Sequence, residues 1–186
     1  MRGNVPATMK ALVAYSAADY RFEQAFPVPE CGPDDIIIKT EGCGICAGDL
    51  KCQHGAAMFW GDGSQPSWVE PPFVPGHEFL GRIAGLGDNV KGYELGERIT
   101  VDQIAPCGEC RFCSDGRYWM CQPHKMYGFF KDFCGGMAEY VRIQTKHAKI
   151  HRVPDAWRSP TRCSLSPTAA PSTAWTGLKS AARTWW

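Results

Sequence analysis

Cys-Gly-Glu-Cys-Arg-Phe-Cys-Ser-Asp-Gly-Arg-Tyr-Trp-Met-Cys, residues 107–121, is the stretch from which the rest of the chain is best read. Its thiols at Cys107, Cys110, Cys113 and Cys121 are spaced 3, 3 and 8 apart. A tight loop can turn three such side chains inward while the fourth closes a tetrahedron, the arrangement structural zinc prefers. Gly108 permits the turn, and Arg111 is available to offset the negative charge of four thiolates. An iron–sulfur cluster or plain packing cysteines are the rival readings. The ten cysteines of the 186-residue chain would suit a disulfide scaffold in a short secreted protein. Residues 1–9 lack a signal-peptide layout, so metal or thiolate chemistry is the better expectation.

Upstream, Gly42-Cys43-Gly44-Ile45-Cys46-Ala47-Gly48-Asp49 and Gly76-His77-Glu78 form a second constellation. Cys46, His77 and the carboxylate of Glu78 are a mixed ligand set that leaves room for water or substrate, as catalytic zinc requires. A zinc so held would polarise an alcohol oxygen, lower its pKa and let the alkoxide release hydride. Asp49 is placed to accept the free ring N–H of His77 and orient it. Gly-His-Glu alone is a weak signal; beside the four-cysteine lobe it gains force.

Around these motifs, residues 9–150 read as many short strands between turns, with Met9–Tyr15, Ile36–Thr40, Phe79–Ala84, Arg98–Val101 and Ala138–Ile143 as candidates. That spacing predicts a mostly β barrel or sandwich. One short helical turn is expected over residues 48–55. Gly85-Leu86-Gly87-Asp88-Asn89-Val90 lacks a third glycine and a following helix, so it predicts a hairpin turn and no phosphate cradle. A net charge of +1 with no basic block argues against nucleic acid, and no apolar run is long enough for a membrane helix. The expectation is a soluble, cytoplasmic protein.

From Met9 to Pro154 the chain resembles the zinc-containing medium-chain dehydrogenase/reductases, the alcohol and polyol dehydrogenases. The resemblance rests on Gly44-Ile45-Cys46 with Asp49, on Pro75-Gly76-His77-Glu78, on Gly96-Glu97-Arg98-Ile99 and on the four-cysteine lobe. It implies a GroES-like β-barrel catalytic domain with a zinc-binding lobe over residues 9–155, after an N-terminal extension, residues 1–8. It also implies that Cys46 and His77, with Glu78 beside them, hold a catalytic zinc, and that Cys107, Cys110, Cys113 and Cys121 hold a structural one. The implied reaction is NAD- or NADP-linked oxidation of a small alcohol or sugar alcohol to a ketone or aldehyde. A homo-oligomer is implied for a complete homologue. Cys43 has no ligand role in the family and reads as packing, as do Cys31, Cys52, Cys134 and Cys163.

Two departures follow. Many members carry Ser or Thr two residues after the cysteine ligand to relay the substrate proton; here the position is Gly48, with His54 or water as the substitute and a surface histidine as the plainer reading. Residues 46–61 look most like the sugar-alcohol branch, which includes erythritol and threitol dehydrogenases; Phe59 and Trp60 read equally as a cleft wall or a buried pair. The larger departure is that the family's Rossmann nucleotide domain, and the third protein ligand before it, do not appear. Residues 156–186 are an irregular run rich in Ala, Ser, Thr, Pro and Arg, with four tryptophans. Back-translation fits a shifted reading frame: codons allowed for residues 163–168 can encode Val-Leu-Ile-Glu-Pro-Tyr in the neighbouring frame, and the polyol branch places an Ile-Glu-Pro ligand segment there. On this reading the chain is a truncated, inactive N-terminal fragment. A stand-alone zinc-binding interaction module is the alternative; it leaves Cys46, Asp49, His77 and Glu78 unexplained.

Overall fold

The computed structural model describes residues 2–156; the irregular run of residues 156–186 lies outside them from residue 157 onward. Its strands in chain order are β1 (Arg2–Gly3), β2 (Thr8–Ser16), β3 (Asp19–Pro27), β4 (Asp35–Gly44), β5 (Glu78–Leu86), β6 (Arg98–Val101), β7 (Ile104–Ala105), β8 (Lys125–Met126), β9 (Tyr140–Gln144) and β10 (Ile150–Arg152). Three short helices, α1 (Ala47–Gln53), α2 (Ala57–Trp60) and α3 (Arg111–Ser114), lie between them. The architecture is therefore mostly β, as the strand-and-turn pattern predicts.

The main sheet runs β10-β6-β5-β4-β9, with β1 added to β5. Ile36, Ile37 and Ile38 of β4 are all fully buried, because β4 sits between β5 and β9 with both faces covered. The β2–β3 hairpin is stitched to the segment entering β9 through Leu12 N–H to Met137 O and Glu139 N–H to Lys10 O. A second small core of Met9, Ala11, Val13, Val74 and Ala138 fills this seam. Across the sheet, buried Arg98 donates to Glu41, and Arg82 links Glu41 to Asp155. These pairs join positions far apart in sequence.

Within residues 1–8, Arg2 and Gly3 pair with Leu86 and Gly85, and the Arg2 guanidinium donates to Val90 O at 2.8 Å. Two expectations need correction. The single helical turn expected over residues 48–55 is the seven-residue α1, ended at His54. Gly85 and Leu86 belong to β5, and the turn proper is Gly87–Val90, closed by Val90 N–H to Gly87 O. It leads into a loop and then β6, with no helix between.

Candidate metal centres

The β4–β5 ladder positions the first centre. Its last pairs are Cys43 with Phe79 and Gly44 with Glu78, so the end of β4 and the start of β5 open at the same rim. Cys46 follows β4 as the cap of α1, and His77 immediately precedes β5. Ligand atoms of Cys46, His77 and Glu78 all lie within 4.8 Å of one another. Gly76 makes this approach possible. Its φ is +92°, and a Cβ there would stand 2.5 Å from Cys43 Sγ and 2.9 Å from Met137 Cγ.

Asp49 serves two of these residues. Its Oδ2 accepts from the Cys46 backbone N–H at 2.9 Å, while Cys46 Sγ accepts from Gly48 N–H at 3.2 Å. This is a capping box with a thiol in the hydroxyl's place. Asp49 Oδ1 lies 3.5 Å from His77 Nδ1, beyond hydrogen-bond length, and both atoms are buried without a partner. The sequence expectation of a His77-to-Asp49 hydrogen bond is thus met in placement and corrected in distance. Facing Asp49 with Nδ1 leaves Nε2 as the other ring nitrogen for a metal. A thiol, an imidazole and a carboxylate form a borderline-soft set suited to zinc with one position open. The residues present fit the metal.

Burial raises the Glu78 carboxyl above its usual range, partly countered by His77. Because a ligating carboxylate must lose its proton, metal uptake is expected to release a proton and to strengthen as pH rises through the Glu78 titration. Metal titrations at several pH values check this; affinity that falls with pH would contradict it. Removing the Asp49 carboxylate, as in Asp49→Ala, is expected to weaken metal binding at this centre by about 10–100-fold, read by competition with a chelator.

The aromatic neighbour of the site was not legible in sequence. The Phe129 ring lies 5.3 Å from the His77 ring and stacks on Phe59 at 5.3 Å. No spacing rule connects residues 59, 77 and 129. Phe59 is buried and Trp60 donates to Cys52 O at 2.6 Å, so this pair follows the packing reading. His54 is exposed at the C-terminal end of α1. Cys43 and Cys52 pack in the main core, Cys31 Sγ donates to Asp35 O, and Cys134 borders the smaller core. Cys163 lies outside the described residues. Asp49 also borders an apolar cavity of about 650 Å³, with Leu12, Phe22, Ile45, Leu50 and Met137 around it.

The second centre is the lobe. The β7–β8 pair, Ile104 with Met126 and Ala105 with Lys125, closes its base. The Sγ atoms of Cys107, Cys110, Cys113 and Cys121 lie within 4.8 Å of each other, and Cys107 and Cys113 are 3.9 Å apart. Four sulfurs at about 2.3 Å from one tetrahedral zinc would stand about 3.8 Å apart. Backbone N–H groups of Cys107 and Cys110 donate to Cys121 Sγ and Cys107 Sγ, each at 3.3 Å. The N–H groups of Gln122 and Cys113 hold the Cys110 thiol down to about 6. Arg111 lies over the Phe112 ring, 4.5 Å from its centroid. Buried Asp102 ties the lobe to the barrel, accepting from Tyr118 and facing His151 Nε2 at 2.8 Å.

A mostly β domain with Cys46, His77 and Glu78 gathered at a sheet rim and four cysteines in a separate lobe defines a class with two candidate metal centres. Within that class the chain belongs to the alcohol dehydrogenase GroES-like domain family, whose model matches residues 32–155. It is 45% identical to the erythritol/L-threitol dehydrogenase of Mycolicibacterium smegmatis, over 89% of this chain and 48% of that protein. It is 31% identical to the sorbitol dehydrogenase of Bacillus subtilis, over 84% of this chain and 41% of that one. Among solved structures, a zinc-binding dehydrogenase from Sinorhizobium meliloti 1021 bound to NADP matches with TM-score 0.67 and 34% identity, over 81% of this chain and 40% of that chain. The chain spans about half the length of the curated relatives it matches. Among the described residues, no helix is long and apolar enough to cross a membrane.

Proposed function

We propose that this chain is the metal- and alcohol-binding half of a zinc-dependent, NAD- or NADP-linked dehydrogenase acting on an alcohol or sugar alcohol, with polyols of the erythritol and threitol type as the substrate class. The observation that carries this reading is the convergence of Cys46, His77 and Glu78 in a centre separate from the four-thiolate lobe. A stand-alone zinc module has no use for the first centre. Zinc held there would polarise an alcohol oxygen and lower its pKa. The chain's own residues do the rest: Asp49 fixes the Cys46 backbone and faces His77, while Phe129, backed by Phe59, walls the imidazole. The similarity to the erythritol/L-threitol dehydrogenase supports the polyol class.

Hydride acceptance belongs to a nicotinamide cofactor, and among the described residues no glycine-rich turn leads into a helix that could receive its pyrophosphate. Residues 1–186 alone are therefore expected to show no NAD-linked turnover, and oxidation by the pure chain would contradict this. Phe22, Ile45 and Leu50, each about half exposed, supply the apolar surface such a half-enzyme would present. The whole protein would be a homo-oligomer working in the cytoplasm, on family grounds. Metal analysis tests the reading directly: the purified chain is expected to carry two zinc ions, and Cys46→Ser one. A single zinc unaffected by Cys46→Ser would favour the interaction module.

A further inference from the structure

A second cavity, of about 400 Å³, is bordered by both the four-cysteine lobe and the barrel, and none of Cys46, His77 and Glu78 lines it. Lys125 of β8, Arg142 and Gln144 of β9, and His147 stand around it, with Asp132 and Cys107. Its two permanent cations both have long ion pairs. Arg142 Nε is buried with no hydrogen-bond partner. Its carboxylate neighbour, Asp35 Oδ2, is 3.9 Å away, and its Nη2 reaches Asp132 O only at 3.4 Å. Lys125 Nζ meets Glu70 Oε1 at 3.5 Å. By contrast, Arg82 and Arg152 meet Glu41 and Glu97 at 2.8 and 3.0 Å. Charge-assisted hydrogen bonds run about 2.7–2.9 Å, so neither cation beside the cavity has a full-strength partner. A charged donor left in that condition gains most from an incoming acceptor.

We propose that this cavity is a binding site for a small organic phosphate that also carries hydroxyl groups. The wall selects the class. Two cations match the two charges of a phosphate monoester, whereas a single carboxylate would leave one of them unanswered. Arg142 offers its outer N–H groups as a planar fork, since Nε is closed to solvent, and Lys125 adds a point charge. Asp132 brings a negative charge to the same wall, and Cys107 the edge of a lobe that stays net negative with four thiolates on one divalent ion. Those groups repel a bare anion but accept from hydroxyls, so the ester end faces Lys125 and Arg142 and the hydroxyl end faces Asp132. The volume exceeds a bare phosphate and lies at the lower end for small-ligand sites. Bound there, the ester bridges β8 at the base of the lobe to β9 of the main sheet.

The test titrates glycerol 3-phosphate, inorganic phosphate and glycerol into the full chain and follows the Arg142 Nε–H resonance by NMR, a local reporter of that guanidinium. A saturable shift is expected with glycerol 3-phosphate, about threefold tighter than with inorganic phosphate, and none with glycerol. Lys125→Gln, at a side chain about one-third exposed, is expected to keep the unfolding midpoint and to weaken glycerol 3-phosphate about tenfold. Asp132→Asn is expected to strengthen inorganic phosphate and to shrink the preference for the ester. No saturable shift with either phosphate overturns the site, as does an affinity that Lys125→Gln leaves unchanged. Inorganic phosphate as tight as the ester in wild type, or an ester preference untouched by Asp132→Asn, overturns the hydroxylated-ester class.

Discussion

Cys110→Ser is expected to lose the lobe metal and, with it, the order of residues 107–121, while the barrel remains folded. The lobe has no core of its own. α3 is four residues long and the 3₁₀ turn Tyr118–Met120 is three, and neither contains a buried residue. Segments of this size fold only with a staple. A structural zinc contributes about 10–16 kcal/mol in peptides that depend on it, far more than the remaining ties can supply. Those ties are the two-pair β7–β8 ladder, Tyr118 with Asp102, and His147 Nδ1 near Pro106 O at 2.9 Å. Hydrogen exchange with metal counting reads the outcome: fast exchange confined to the lobe, and one zinc fewer. A strong chelator on the wild-type chain should reproduce it. Protected lobe amides in Cys110→Ser would show that packing, not metal, holds the loop.

Gly76→Ala is expected to damage the other centre through the backbone. The residue's φ of +92° costs an L side chain strain of about 1–2 kcal/mol. The new methyl would also meet Cys43 Sγ and Met137 Cγ inside contact distance, and Gly128 and Gly135 approach the Gly76 backbone so closely that a Cβ on either would collide with it, so there is little room to yield. Overpacking of this kind adds about 1–3 kcal/mol, for a total of about 2–5 kcal/mol. For a domain of this size that corresponds to a melting-point drop of about 5–20 °C. His77 is the next residue, so metal at Cys46, His77 and Glu78 should weaken while the lobe keeps its zinc. A thermal melt and a metal count on the same sample check both halves. An unchanged melting temperature would mean the backbone relaxes at no cost.

Both centres were legible in the sequence to different depths. The four lobe cysteines lie within one short loop, so their spacing alone fixes that they can meet. Cys46 and His77 are distant in sequence, and only the joint pattern with Asp49 and the lobe brought them together. Alternating and β-branched runs marked the strands of the main sheet. The pairing of Arg2–Gly3 with β5 was not visible, because a two-residue strand carries no periodicity. The link from Asp49 to the Cys46 backbone was hidden by reading its carboxylate for one partner only. Phe129 beside His77, and Arg98 on Glu41, are contacts made by sheet topology, on which local spacing is silent.

The terminal pairing of Gly44 with Glu78 also sets an order of events. The four lobe thiols can find one ion by closing a loop of modest length, a step with a small entropic barrier that needs no sheet. Cys46 and His77 cannot face one another until the long-range β4–β5 ladder has zipped to its last pair, which is slow, non-local work. If both clusters hold zinc, the lobe would fill first and the rim last. At limiting metal a folded chain would then carry zinc at the lobe before Cys46, His77 and Glu78 received any.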